Sequence, residues 1–200
     1  MIFVVDNFYD NPDEIRIKAL KAYSNREKVS ATNYPGIKIL IEDEFIKSDL
    51  TKKVSNLVNE KLILIESCFQ FVDRSFVKGI PHDDRERKYT SIIYLNPNPP
   101  KNSGTEIFDH FYKTHSKLYT EENFILPYKK KFFAAKKKNI LYKFLYSKLI
   151  DSILKDQKHC TSIANKYNRH LIFDSKMVHR AQNYFGTGKE SRLCLVSFFH

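Results

Sequence analysis

The chain opens on four apolar residues, IFVV at 2–5, and turns polar before Asn11-Pro12, a pattern that predicts a short buried strand followed by a helix. Asn11 offers an N-cap, Pro12 suits the first helical position and Glu14 completes a capping box, so the helix is expected from about Pro12 to Tyr23. Gly36 opens a second apolar stretch, IKILI. From Asp49 onward Leu50, Val54, Leu57, Val58 and Leu62 recur on one face of an amphipathic helix with a lysine-rich back.

From Cys68 the texture changes to β-branched and aromatic runs separated by Pro, Asn and Gly: FQFVDRSFV, YTSIIYL and GTEIF, then RHLIFD at 169–174 and RLCLVSFF at 192–199. Residues 111–165 interrupt them as a largely helical, basic insertion. Ile140, Leu141, Phe144, Leu145, Leu149 and Ile153 recur at helical spacing, and Tyr128 to Lys148 carries eight lysines and no acid. Strands split by such an insertion, with residues 1–65 supplying supporting helices, predict a mainly β fold: an antiparallel sandwich or barrel with helices on one outer face.

Two hundred residues with 42% hydrophobic and 28% charged content suit one folded unit, residues 1–200, and exclude disorder as the main state. The net charge of +11, from 34 basic and 23 acidic side chains, favours anionic partners without choosing among nucleic acid, acidic protein and small carboxylates. No apolar run approaches the roughly 20 residues that span a bilayer, and the N-terminus lacks a basic leader, so a soluble, unexported protein is expected. Cys68, Cys160 and Cys194 are odd in number and form no C-x-x-C pair, which argues against a disulfide framework and a cysteine zinc site and fits a reducing cytoplasm.

Candidate chemistry centres on Pro81-His82-Asp83-Asp84. An imidazole and a carboxylate at i and i+2 project from one side of an extended strand, and His179 closes the strand-like run HLIFDSKMVH. Two histidines and one carboxylate on one face of a metal make the facial triad of non-haem Fe(II) oxygenases. Asp83 competes with Asp84; parity selects Asp84 and sends Asp83 to solvent or to an outer hydrogen bond.

From residue 66 to the end the chain resembles the 2-oxoglutarate and Fe(II)-dependent dioxygenases, particularly the prolyl-4-hydroxylase-like branch. In that family H-x-D is followed by a strand ending in Tyr-Leu-Asn and then a Gly-containing strand. Here they read Tyr89-Thr-Ser-Ile-Ile-Tyr94-Leu95-Asn96 and Ser103-Gly104-Thr105-Glu106-Ile107-Phe108. The distal His179 is followed by Arg192 at the start of the last strand, and VVDNFYDNPDEIRIKAL looks like the opening of uncharacterised members of the superfamily.

The resemblance implies a double-stranded β-helix (jelly-roll, cupin-like) that binds Fe(II) at His82, Asp84 and His179 and uses 2-oxoglutarate and O2 as cosubstrates, releasing succinate and CO2. Arg192 would fork the distal carboxylate of 2-oxoglutarate. Thr90, Ile92 and Tyr94 share one parity and would face inward, as a pocket-lining group, an apolar wall and a hydroxyl donor to that carboxylate. Lys189 is the fallback cation, and Cys194 stands where many relatives have Ser or Thr. A carboxylate at Asp84 favours hydroxylation or desaturation over halogenation, with a small-molecule, amino-acid or peptide substrate expected. The competing classes are a non-catalytic jelly-roll that binds nucleic acid or a protein through its basic surface, and a nucleic-acid demethylase. KKKFFAAKKK reads better as a solvated face or a lid than as a nucleic-acid grip, and His110 as a loop histidine near the pocket mouth.

Overall fold

Helix α1 (Pro12–Ser24) starts at the proline as expected and turns Ile15 and Ala19 inward, but the Asn11 side chain makes no capping bond. Asp13 and Glu14 instead place negative charge in the first turn, where the helix dipole favours it. Helix α2 (Glu44–Val58) begins five residues before the expected start, because Asp43 accepts from the backbone N–H groups of Phe45 and Ile46 at 3.0 and 3.2 Å. Its inward stripe is Ile46, Leu50, Val54 and Val58. Asn59, at φ 55°, ends the helix, so the buried Leu62 follows it rather than extending its face.

The computed structural model describes residues 1–25, 36–76, 79, 81–84, 86–108 and 160–200, with five further residues between 147 and 155. Its strands are β1 (Ile2–Val5), β2 (Ile37–Leu40), β3 (Leu64–Val72), β4 (Tyr89–Tyr94), β5 (Thr105–Phe108), β6 (Cys160–Ile163), β7 (His170–Asp174), β8 (Val178–Ala181) and β9 (Arg192–Phe199). They form a six-stranded sheet in the order β1-β7-β4-β9-β3-β2 and a three-stranded sheet in the order β6-β5-β8, with antiparallel pairing throughout. This is the jelly-roll architecture that the resemblance implied.

Alternation along the strands builds two cores. Tyr89, Ile93 and Leu95 join Leu193, Leu195 and Phe199 against the helix residues Ile15, Ala19, Leu50 and Val54. The opposite parity, Ile92 and Tyr94 with Cys194, Val196, Leu171 and Phe173, meets Ile107 of the smaller sheet. The site lies on this second, inner face.

Two expectations need correction. Cys160–Ile163 is not the end of a helical insertion but a strand, β6, whose Thr161 and Ile163 suit an edge position paired with β5. The run HLIFDSKMVH is not one strand: Asp174 accepts from the Lys176 N–H at 2.9 Å and from the Met177 N–H at 2.9 Å, a tight turn that takes the chain from β7 in the large sheet to β8 in the small one. Residues 109–146, which hold most of the expected basic insertion together with His110 and His115, lie outside the described residues. Among the described residues no helix is long and apolar enough to cross a membrane.

Candidate metal centre

The turn after β7 delivers His179 to the inner face, where its backbone pairs with that of His82 through reciprocal bonds of 2.8 and 3.0 Å. This isolated bridge is all the regular strand pairing that residues 81–84 make, so the expected extended strand is absent while its i, i+2 projection survives. The Asp84 N–H donates to the Ser175 carbonyl at 2.7 Å, which fixes the carboxylate beside both rings. Asp84 Oδ2 lies 3.5 Å from His179 Nε2, and Oδ1 lies 4.0 Å from His82 Nε2. One ligand atom from each of the three residues lies within 4.8 Å of the other two, and Asp83 is not part of that cluster.

The donors are also oriented. His179 Nδ1 sits 3.1 Å from the Met177 carbonyl, which can only accept, so Nδ1 carries the proton and Nε2 is turned toward Asp84. The Phe173 ring packs edge-on against His179 at 4.6 Å. Thr90 Oγ1 donates to Asp84 Oδ2 at 2.9 Å and contacts Ser175 Oγ at 2.8 Å. Thr90, expected to line the cosubstrate pocket, holds Asp84 in the structure. Two imidazoles and a carboxylate gathered in this way fit an Fe(II) ion, a ligand set that would leave further coordination positions open.

Along the same face, past Ile92, lies a second polar group, centred on Arg192. Arg192 is only 3% exposed. It donates from Nε to the Ser103 carbonyl at 2.9 Å, and its guanidinium carbon lies 5.6 Å from the centre of the Tyr94 ring. Among the described residues no carboxylate pairs with it, and a buried guanidinium without one suits a carboxylate ligand. The Tyr94 hydroxyl donates to Thr105 Oγ1 at 2.8 Å, and burial pushes its pKa up to about 12. Tyr184, from the loop before β9, has its hydroxyl raised to about 12 by burial, while Arg192 and Arg180 pull it down. Burial likewise raises the Cys194 thiol, which remains a neutral neighbour of Tyr94. Lys189 is exposed in a turn at Gly188–Glu190 and contributes nothing to this face.

Two residues beside Arg192 carry no sequence signal of their role, and a third, Asn96, lies in a phrase that does. Thr105 and Tyr184 meet Tyr94 and Arg192 only through the packing of the two sheets and the loop. Asn96 ends the Tyr-Leu-Asn phrase and clamps both neighbours of Arg192, donating to the Ser191 carbonyl at 3.0 Å and accepting from the Leu193 N–H at 2.7 Å. The phrase that carried the resemblance thus sets the register of the arginine.

A family model described as "Family of unknown function (DUF6445)" matches residues 1–183, and the chain belongs to that family. No curated protein matches it by sequence. Solved structures with a similar fold include the non-haem α-ketoglutarate-dependent carbocyclase SnoK from nogalamycin biosynthesis, at TM-score 0.64 and 10% identity over 99% of this chain and 78% of that one. A prolyl-4-hydroxylase from Pseudomonas putida is similar at TM-score 0.56 and 12% identity, covering 100% of this chain and 91% of that one. HygX from Streptomyces hygroscopicus, solved with nickel and 2-oxoglutarate bound, is similar at TM-score 0.59 and 12% identity over 99% and 81% of the two chains. At these identities the likeness is one of fold.

Proposed function

We propose that this member of DUF6445 is a 2-oxoglutarate- and Fe(II)-dependent oxygenase that hydroxylates an amino-acid, peptide or other small-molecule substrate, in the manner of the prolyl-4-hydroxylase-like branch. One observation carries the reading: three candidate metal donors and a buried arginine that meets no carboxylate among the described residues share the same inner face, with Ile92 between them.

His82, Asp84 and His179 would hold the metal, and Arg192 with Tyr94 would hold the distal carboxylate of 2-oxoglutarate. Bound Fe(II) would supply dioxygen chemistry coupled to decarboxylation of 2-oxoglutarate. The protein's own residues do the positioning. The Met177 carbonyl keeps the His179 lone pair directed at the site, and Thr90 and Ser175 keep Asp84 in place. The Tyr94 hydroxyl, which donates to Thr105 in the structure, would turn its one proton to the cosubstrate carboxylate when that is bound, and Ile92 and Phe173 supply apolar surface on the same face. Hydroxylation is the specific part of the proposal, since similar folds serve a carbocyclase and an epimerase as well as hydroxylases.

The test is succinate formation by the Fe(II)-loaded protein, assayed with 2-oxoglutarate alone and with a panel of amino acids, peptides and small molecules, products being identified by mass. Substrate-stimulated succinate with a product heavier by one oxygen is expected. Succinate without oxygen insertion would overturn hydroxylation, and no succinate under any condition would overturn the oxygenase reading.

A further inference from the structure

Tyr184 is pinned from both sides by bonds that its neighbours make. Before it, the Gln182 N–H donates to the Gly104 carbonyl at 3.0 Å, and the Asn183 side chain donates to the Asn102 carbonyl at 2.7 Å. After it, the Phe185 carbonyl accepts from the Arg192 N–H at 3.3 Å, and the Gly186 carbonyl accepts from the Arg74 N–H at 3.1 Å. Asn102 and Gly104 flank Ser103, whose carbonyl accepts from Arg192 Nε at 2.9 Å. The loop therefore ties Tyr184 to both supports of Arg192, the segment that holds its guanidinium and the backbone that carries it.

The Tyr184 ring is packed, but its hydroxyl is uncommitted. Phe76 meets the ring edge-on with centroids 6.3 Å apart. The side chain is half-buried and its hydroxyl end is the deep one: burial raises the pKa to about 12, against the pull first of Arg192 and then of Arg180. The phenol thus keeps its proton at any working pH. Among the described residues that hydroxyl makes no hydrogen bond, and a buried hydroxyl without a partner is costly.

The polar groups around it are engaged in ways that leave one vacancy for an anion. Arg180 closes on Glu106 at 2.6 Å, and the Tyr94 hydroxyl gives its single proton to Thr105 at 2.8 Å. Cys194 is a weak donor whose thiol stays neutral. Arg192 alone is left with a charge that meets no carboxylate among the described residues. A carboxylate drawn to it brings two oxygens with about four lone-pair sites, more than one guanidinium fork fills. Tyr94 must break its bond to Thr105 before it can serve such a ligand, whereas Tyr184 has no bond to break.

Resting on the oxygenase reading, we infer that Tyr184 is a further residue of the cosubstrate site: its hydroxyl donates to the distal carboxylate of 2-oxoglutarate, on the loop side of Arg192. The connection between His179 and Arg192 then has a task of its own, to seat this tyrosine.

The experiment compares the wild type with Tyr184→Phe, both Fe(II)-loaded and kept anaerobic, by calorimetric titration of 2-oxoglutarate and of 2-oxopentanoate. The second ligand keeps the keto-acid end and has a methyl group in place of the distal carboxylate. Losing one hydrogen bond to a charged group should weaken 2-oxoglutarate binding by roughly tenfold to a hundredfold in Tyr184→Phe. 2-Oxopentanoate should bind more weakly than 2-oxoglutarate to the wild type and no differently to the variant. The melting midpoint of Tyr184→Phe, measured without ligand, should be at or above that of the wild type, since the hydroxyl removed has no partner to lose. Unchanged 2-oxoglutarate affinity, equal weakening of both ligands, or a clearly lowered midpoint overturns the inference and leaves the oxygenase reading standing. Failure of the wild type to bind 2-oxoglutarate would instead overturn the oxygenase reading, and this one with it.

Discussion

Arg192 and Tyr94 lie together on the inner face, and in the proposed reaction their unequal chemistry would give them unequal roles. Removing one member of a buried charged pair costs roughly 3–5 kcal/mol, and deleting one hydrogen bond to a charged group about 1.5–3 kcal/mol. In uncoupled succinate formation followed against 2-oxoglutarate concentration, Arg192→Ala should raise the requirement by about two orders of magnitude or more, and Tyr94→Phe by roughly tenfold to a hundredfold. Lys189→Ala should leave it unchanged. At the candidate metal centre, Asp84→Ala should remove Fe(II) binding, read as bound iron per chain after desalting, and Asp83→Ala should retain it; the reverse pattern would show that the carboxylate is misassigned. The residues that converge were legible because each belongs to a short phrase with fixed spacing: His82-x-Asp84, Tyr94-Leu95-Asn96, and an arginine opening the last strand. Thr105 and Tyr184 were not legible. A threonine and a tyrosine are ordinary occupants of strands and loops, and only the pairing of β5 with β8 and the course of the loop before β9 bring them toward Tyr94 and Arg192.

Strand β7 shows how one element is tied to its neighbours by a group with a measurable pH signature. His170, fully buried beside Phe8, shares a 2.7 Å hydrogen bond with Ser91 of β4, and burial lowers its pKa from 6.5 to about 3. The folded protein therefore keeps the ring neutral where the unfolded chain takes up a proton. The sign follows: His170 costs nothing above the unfolded pKa of 6.5, and the fold loses about 1.4 kcal/mol per pH unit as pH falls below that, until the folded value is reached. Chemical denaturation of the metal-free protein should show the wild type losing stability faster than His170→Gln between pH 6.5 and about 4.5. Parallel slopes would show that the ring is protonated in the fold. Element boundaries were readable where a local rule sufficed, as at Pro12 and along the whole of β9. The start of α2 was missed because the apolar stripe was counted from Leu50, although Asp43 and Ile46 already carry the cap and the first inward position. The split of β7 from β8 was missed for a different reason: alternation runs on through Met177 and Val178, and only the Asp174 side chain, turning back to the Lys176 N–H, breaks the strand.

Over the whole molecule, the two sheets have unequal duties. The larger carries the helices on one face and the candidate site on the other, while the smaller contributes His179, Thr105 and Ile107 through β5 and β8. The sheets must meet for the metal donors to converge, which links folding to function and makes the small sheet a sensitive place. A Cβ at Gly104 would lie 1.9 Å from the Ile163 carbonyl oxygen, so Gly104→Ala should push β6 from β5, lower the melting midpoint and weaken Fe(II) binding together. Lowered stability with intact metal binding would show that the donors hold without that sheet. The central claim is that one inner face holds a metal and, beside it, the cosubstrate's carboxylate. Its most direct test is an anaerobic calorimetric titration of 2-oxoglutarate into three samples: the Fe(II)-loaded wild type, the metal-stripped wild type and Fe(II)-treated His179→Ala. Single-site binding to the first, weakened by about tenfold or more in the other two, is expected. Equal affinity in all three, or no binding to the iron-loaded wild type, would contradict it.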